Sequence, residues 1–180
     1  RISKTKVIML ERVILVDEND LEIGTMEKQK AHVTGDLHRA ISVFIFNSEG
    51  EILLQQRAIT KYHSGGLWSN TCCTHPRQGE ETKDAAKRRL NEEMGIQCNL
   101  EFRFSFIYKA KLINGLFEHE FDHVYFGQSD LLPVLNSEEA ENYKYVNIHE
   151  IIEDLKTNSS KYTEWFKICL EEVKNHLELK

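Results

Sequence analysis

The sequence predicts an α/β sandwich, a mixed sheet packed around a central helix with a helical segment at the C-terminus. Three observations lead there. Short β-branched and aromatic runs recur before residue 57 and again from 99 to 127. Between them Thr82 to Met94 carries apolar residues at helical spacing, and two helical patterns close the chain.

Val13 to Val16 is a short apolar strand closed by Asp17-Glu18-Asn19-Asp20. Ile41 to Phe46 is a richer one, turning at Asn47-Ser48-Glu49-Gly50 into Ile52 to Gln56 as a hairpin. In the helix, Ala86, Leu90 and Met94 recur every four residues, a stripe for packing onto a sheet, and Gly95 is placed to stop it. Asn99 to Leu112 and Leu116 to Gly127 are strands joined at Ile113-Asn114-Gly115. Tyr143 to Val146 is a last strand, and Ile148 to Leu155 with Thr163 to Leu177 are helices.

The 180 residues fit one domain, 1–180, with 41% hydrophobic and 29% charged residues, ordinary for an enzyme. A net charge of −6 argues against a general nucleic-acid binder, so an anionic substrate must be gripped locally. Cys72 and Cys73 are adjacent, which disfavours a mutual disulfide, and with Cys98 and Cys169 they form no pair of CxxC units, so a reduced cytoplasm is the expected home. Lys4 to Val16 looks briefly like a signal peptide, but Glu11 and Arg12 interrupt it and no small-residue cleavage site follows. The chain starts at Arg1 rather than Met, which leaves room for a short missing leader. No run is long enough to span a bilayer, and with no repeat, no low-complexity tract and only Pro76 and Pro133, no linker is expected. No exposed apolar stripe stands out, so a monomer is expected.

Chemistry concentrates in Asn70-Thr71-Cys72-Cys73-Thr74-His75-Pro76, then Gly79-Glu80 and the helical run Ala85 to Gly95. A thiol and an imidazole stand just ahead of a helix that ends in the pair Glu92-Glu93, a grouping suited to metal-assisted proton chemistry. Glu93 leans toward the core-facing side of its helix and needs a counterion, whereas Glu92, four residues after Arg88, is explained by a surface ion pair. Cys72 and Cys73 should point oppositely in an extended segment, leaving Cys72 structural. Glu118, Glu120 and Asp122 alternate, so a strand would project all three on one face, and for Asp122 a solvated edge face is expected.

These residues resemble the Nudix box. Aligning on Gly95 puts Glu80, Arg88, Leu90, Glu92, Glu93, Gly95 and Ile96 in register over residues 74–96, and implies a Nudix-type α/β/α sandwich. Two positions depart: Thr74 stands where the leading Gly belongs, and Arg89 replaces a carboxylate that Nudix hydrolases use to bind metal. With Arg89, with Cys73-Thr74-His75 at the box entrance, and with His32, His38, Tyr108, Glu118-His119-Glu120 and Trp165 in order, the chain resembles the type 1 isopentenyl diphosphate isomerases from about His32 to Trp165. The resemblance implies a 1,3-allylic proton shift interconverting isopentenyl and dimethylallyl diphosphate through a tertiary carbocation.

By that resemblance Cys73 and Glu120 flank the substrate as acid and base, Tyr108 sits beside Glu120 as relay or donor, and Trp165 covers the cation with its indole face. His32, His38, His75, Glu118 and Glu120 would form a six-coordinate Mn2+ or Zn2+ site. Five residues separate His32 from His38, slightly fewer than in the family pattern. A Mg2+ would bridge Glu93, the backbone carbonyl of Cys73 and the diphosphate, while Lys28, Arg57, Lys61 and Arg89 match phosphate-contacting positions. Without the resemblance Trp165, on a helix with Ile168, Cys169 and Glu172, reads equally well as core, and the four cations read as surface charge. His63, His119, His123, His149 and His176 receive no role.

The hairpin sets a condition on Tyr108. A two-residue loop, Asn114-Gly115, would oppose Lys109 to Glu120 and turn Tyr108 away, whereas a three-residue loop with Gly115 in the left-handed region pairs Tyr108 with Glu120. The latter is expected. Two other classes compete: a Nudix pyrophosphohydrolase acting on a nucleoside diphosphate derivative, favoured by Glu80, Glu92 and Glu93 but weakened by Arg89, and a catalytically silent Nudix-fold binding module. Phosphate release separates the first and metal analysis the second.

Overall fold

The computed structural model describes residues 10–178, so the stretch from Arg1 through residue 9, including the start of the signal-like run at Lys4, lies outside the described residues. The elements are β1 (Arg12–Val16), β2 (Glu22–Glu27), α1 (Lys28–Thr34), β3 (His38–Phe46), β4 (Ile52–Arg57), β5 (Trp68–Ser69), β6 (Cys72–Thr74), α2 (Thr82–Met94), β7 (Leu100–Lys111), β8 (Phe117–Gln128), β9 (Ala140–Val146), α3 (Ile148–Asn158) and α4 (Glu164–Glu178).

Strand β3 organises the sheet. It pairs antiparallel with β1, β4 and β6 and parallel with β8, while β7 extends β8 and β9 extends β4. Its centre, Ile41 to Ile45, is covered on both faces, which is why it reads as a rich apolar run broken only at Ser42. On one face Ile41, Val43 and Ile45 meet Ala86, Leu90 and Met94 of α2, the stripe legible in the sequence. On the other, Phe44 with Ile52 and Leu54 of β4 meets Phe166, Leu170 and Val173 of α4 and Ile151 of α3. The result is the expected helix–sheet–helix layering. Burial on this scale is worth about 2–5 kcal/mol for a single Leu→Ala change at a position such as Leu90.

Two glycines place the catalytic-looking elements. Gly95 ends α2 with φ 65°, and a Cβ there would come within 2.8 Å of the Val134 side chain. Gly115, with φ 79°, closes the β7–β8 hairpin. The Leu112 amide donates to the Leu116 carbonyl at 2.8 Å across Ile113-Asn114-Gly115, and Tyr108 pairs with Glu120, the three-residue register expected from the sequence.

Helix α2 has the expected bounds, whereas β3 begins three residues before Ile41 at His38, and β9 begins at Ala140 rather than Tyr143. The short elements β2, α1 and β5 carry too few residues for a periodic signal and take their shape from neighbours. Among the described residues no helix is long and apolar enough to cross a membrane.

Candidate active site

The pairing of β6 and β8 with β3 builds one cavity. Ser42 of β3 opposes Cys73 of β6, and the alternation of the strand then buries Cys72 at 1% exposure beneath α2 while turning Cys73 to the opposite face, into the cavity. In the parallel register His38 lies beside Glu120. Helix α1 delivers His32 in its last turn, and Gly35 reverses the chain in the left-handed region so that the short connection brings the His32 and His38 rings to 5.5 Å. The space enclosed is about 550 Å³, lined by residues from every part of the chain, among them Lys28, His32, Arg57, Cys73, Glu120 and Trp165.

At one end imidazoles and carboxylates converge. His75 Nε2 donates to Glu120 Oε2 at 2.9 Å, His38 Nε2 lies 3.6 Å from the same oxygen, and His32 Nε2 lies 3.4 Å from Glu118 Oε2. Tyr108 donates its hydroxyl to Glu120 Oε1. Three buried atoms there have no hydrogen-bond partner among the described residues: His32 Nε2, His38 Nε2 and Glu118 Oε2. Unpaired buried polar atoms are costly, and two bare nitrogens and an oxygen facing a common space are what a divalent cation satisfies. The His38 ring fits the same reading, because its Nδ1–H donates to the Asp36 carbonyl at 2.9 Å and leaves Nε2 as a lone pair.

Electrostatics agree. Burial, reinforced by the neighbouring imidazoles, pushes His32 down to about 3 and His38 to about 4, so both are neutral imidazoles at neutral pH. Burial would raise Glu120, but the His75 hydrogen bond, the charges of His75 and His38 and the Tyr108 hydrogen bond outweigh it and hold the carboxyl below its ordinary value. Glu118 goes the other way, raised by burial and by the charge of Glu120. Cys73 is pushed up to about 12 by burial and the neighbouring Asp122 charge, against the hydrogen bond from its thiol to Asn70 Oδ1 at 3.1 Å. The cavity thus sets a protonated thiol and an ionised carboxylate on its walls.

Cations line the same cavity. Arg89 donates to Glu93 at 2.6 Å and lies 3.1 Å from Glu139, which also takes Lys61 at 2.7 Å. Lys28 lies 3.2 Å from Glu11. Arg57 stacks 5.0 Å over the Trp165 ring, and its Nε has no partner. Glu93 is only 5% exposed, as its helical position suggested, and Gln55 supplies a second donor at 2.9 Å. Trp165 packs with Tyr108 and Leu112, its Nε1 unpaired. All the residues expected at the site line this one cavity or touch a residue that does.

One expectation needs correcting. Asp122 is not on a solvated edge: β8 lies between β3 and β7, the residue is 2% exposed, and Ser42 donates to it at 2.7 Å. Burial and the Glu120 charge raise its carboxyl to about 8. The expected ion pair of Arg88 with Glu92 is present at 3.4 Å, joined by Arg89 at 2.6 Å, while Arg88 also donates to Glu80 at 2.8 and 2.9 Å. His63 is buried in the cavity wall, 3.5 Å from Glu118 Oε1 and edge-on to His32 and Trp165. No local pattern marks His63, since the loop after β4 reads as polar turn, and neither Gln55 nor Asn70 carries a signal apart from its neighbourhood. The pairing of Asp122 with Ser42 spans 80 positions and is set by strand order alone.

Fold and site together define a Nudix protein, and the NUDIX domain family matches residues 36–166. A Deinococcus radiodurans protein of known crystal structure superposes with a TM-score of 0.74 at 18% identity, covering 90% of this chain and 98% of that one. A MutT protein from Methanosarcina mazei gives 0.63 at 18% identity, covering 77% and 94%, and both likenesses speak to the fold. Within that superfamily the chain belongs to the type 1 isopentenyl-diphosphate Delta-isomerases. It is 53% identical over 165 residues to Isopentenyl-diphosphate Delta-isomerase 2 of Aromatoleum aromaticum, covering 92% of this chain and 87% of the relative. It is likewise 53% identical over 167 residues to Isopentenyl-diphosphate Delta-isomerase of Pectobacterium atrosepticum, covering 93% of each.

Proposed function

We propose that this chain interconverts isopentenyl and dimethylallyl diphosphate, with Cys73 and Glu120 as the two proton-handling groups. The observation that carries the proposal is the single cavity in which a buried thiol and an ionised carboxylate share walls with Trp165 and with Lys28, Arg57, Lys61 and Arg89. Lys28, Arg57, Lys61 and Arg89 seat the diphosphate, exchanging Glu11 and Glu139 for phosphate oxygens. The five-carbon tail then points between Cys73 and Glu120.

The acid delivers a proton to the terminal methylene of the C3–C4 double bond, leaving a tertiary cation at C3. The base removes a proton from C2, and that C–H pair becomes the C2–C3 double bond. One proton enters and one leaves, and in reverse the two groups exchange roles. Each supplies roughly 10²- to 10⁴-fold, so positioning and cation stabilisation must supply the rest. The Trp165 face stabilises the cation by about 2 kcal/mol once water is excluded. Tyr108 holds Glu120 in its ionised form and in line with the tail.

His32, His38, His75, Glu118 and Glu120 would hold Mn2+ or Zn2+, and Glu93 with the backbone carbonyl of Cys73 would hold Mg2+. When bound, the first ion relieves the repulsion between Glu118 and Glu120 and the second neutralises diphosphate charge. Arg89, where a hydrolase places a metal-binding carboxylate, reaches Glu92 and Glu93 instead, which disfavours attack on the diphosphate. We read residues 1–180 as one Nudix domain acting as a monomer in the cytoplasm, on a small isoprenyl diphosphate and without nucleic-acid or membrane partners.

The test is proton NMR of isopentenyl diphosphate in deuterated water. The wild type should incorporate deuterium, form the dimethylallyl product and release no phosphate, while Cys73→Ala and Glu120→Gln should do neither. Absence of deuterium in the wild-type product pool overturns the proposal.

A further inference from the structure

The loop between β4 and β5 carries, next to Lys61, two residues that the chemistry above leaves unused. Tyr62 and His63 both reach the imidazole–carboxylate cluster from outside it. The Tyr62 hydroxyl meets His32 Nδ1, and the His63 ring stands edge-on to His32 with centroids 5.4 Å apart. His63 Nε2 lies 3.5 Å from Glu118 Oε1, while the other Glu118 oxygen faces His32 Nε2. His63 also has its Nδ1 3.2 Å from Ser64 Oγ, and its backbone carbonyl accepts from Arg57 at 3.2 Å, so ring and backbone each have an anchor.

His32, His63 and Glu118 form a cluster of donors within 4.8 Å of one another, and so do His32, His38 and His75, but His63 joins neither the latter nor the set of His38, Glu118 and Glu120. It therefore reaches Glu118 and His32 without joining the donors that surround His38 and His75. An imidazole there is placed to grip the carboxylate oxygen that a metal does not use.

We infer that Tyr62 and His63 are positioning residues of the metal site, His63 donating Nε2–H to Glu118 Oε1 and Tyr62 accepting Nδ1–H from His32, so that Glu118 Oε2 and His32 Nε2 present bare electron pairs to the ion. For His32 the tautomer is decisive: a proton on Nδ1 is what empties Nε2, and Tyr62 is the group that holds it there. For Glu118, a contraction of the His63 contact to about 3.0 Å makes a full hydrogen bond and leaves a single oxygen for coordination. Lys61, on the same loop, lines the cavity beside Tyr62 and His63.

This inference rests on the metal reading under Proposed function, and the experiment separates the two. Metal-stripped protein is titrated with Mn2+ and, in competition with a chromophoric chelator, with Zn2+, for the wild type and for His63→Phe, His63→Gln and Tyr62→Phe. Loss of an outer partner is expected to weaken metal binding about 10- to 100-fold in His63→Phe and Tyr62→Phe, while His63→Gln, which keeps an N–H, stays within about threefold of wild type. Metal-free melting temperatures of the variants should match the wild type, showing that the fold is intact. If the wild type binds neither ion, the metal reading fails and this inference with it. If the wild type binds but His63→Phe and Tyr62→Phe match it, or His63→Gln falls as far as His63→Phe, the positioning role fails alone.

Discussion

Replacing Tyr108 by Phe removes one oxygen from the site and nothing else. The ring keeps its packing beside Leu112 and Trp165 and its stack on Phe106, at 5.6 Å, so the fold survives. What is lost is the hydroxyl donated to Glu120 Oε1, leaving Glu120 with the His75 bond at 2.9 Å. A hydrogen bond to a buried charged group is worth about 1.5–3 kcal/mol, and one pKa unit is about 1.4 kcal/mol, so the Glu120 carboxyl should rise by about 1 to 2 units. Its low value in the wild type keeps it ionised into acid solution. The acid limb of the rate–pH profile should therefore move to higher pH by that amount, and the plateau rate should fall roughly 10- to 100-fold if the bond is made in the transition state. The assay is deuterium incorporation from buffered deuterated water, measured from acid to neutral pH on wild type and variant. An unshifted limb with a plateau within about twofold of wild type would refute the argument that Tyr108 tunes Glu120.

Arg89→Gln removes a charge that bridges Glu93 and Glu139, and is expected to raise KM for isopentenyl diphosphate by roughly 10-fold or more without releasing phosphate, as steady-state kinetics and a phosphate assay would report. Asp122→Asn is expected to stabilise the protein increasingly as pH rises from about 4 to 8. The wild-type carboxyl, raised to about 8 by burial and the Glu120 charge, stays protonated when folded but ionises when unfolded, so stability is full below the unfolded value and falls by up to about 1.4 kcal/mol per pH unit above it. Urea melts of the two proteins at several pH values test this, and a pH-independent difference would contradict it. Stripping metal with a chelator should lower the melting temperature, and Mn2+ at about 100 times its Kd should restore about 2.7 kcal/mol. No change on stripping would count against the cation reading of His32, His38 and Glu118.

The elements of longest period were legible because their signals are local. Thr82 to Met94 repeats its apolar residues at helical spacing and ends at a glycine, and the run from Ile41 to Phe46 declares a strand buried on both faces. The three-residue turn at Ile113-Asn114-Gly115 was enough to put Tyr108 opposite Glu120, since register follows from loop length. The thiol, the imidazoles and the carboxylates could be named as candidates only through the resemblance to the family.

What sequence alone determined is thus the kind of elements, a property carried by neighbours within one turn or one hairpin, together with the candidate groups that the family resemblance points to. Only the tertiary structure decided who faces whom. Strand order put β8 between β3 and β7 and so buried Asp122 against Ser42, where alternation by itself left it free to face water. The same order folded a polar loop over the cluster and brought His63 to Glu118 across 55 positions. Burial and charge partners, which separate a protonated thiol from an ionised carboxylate, arise from such distant contacts, and no local pattern encodes them.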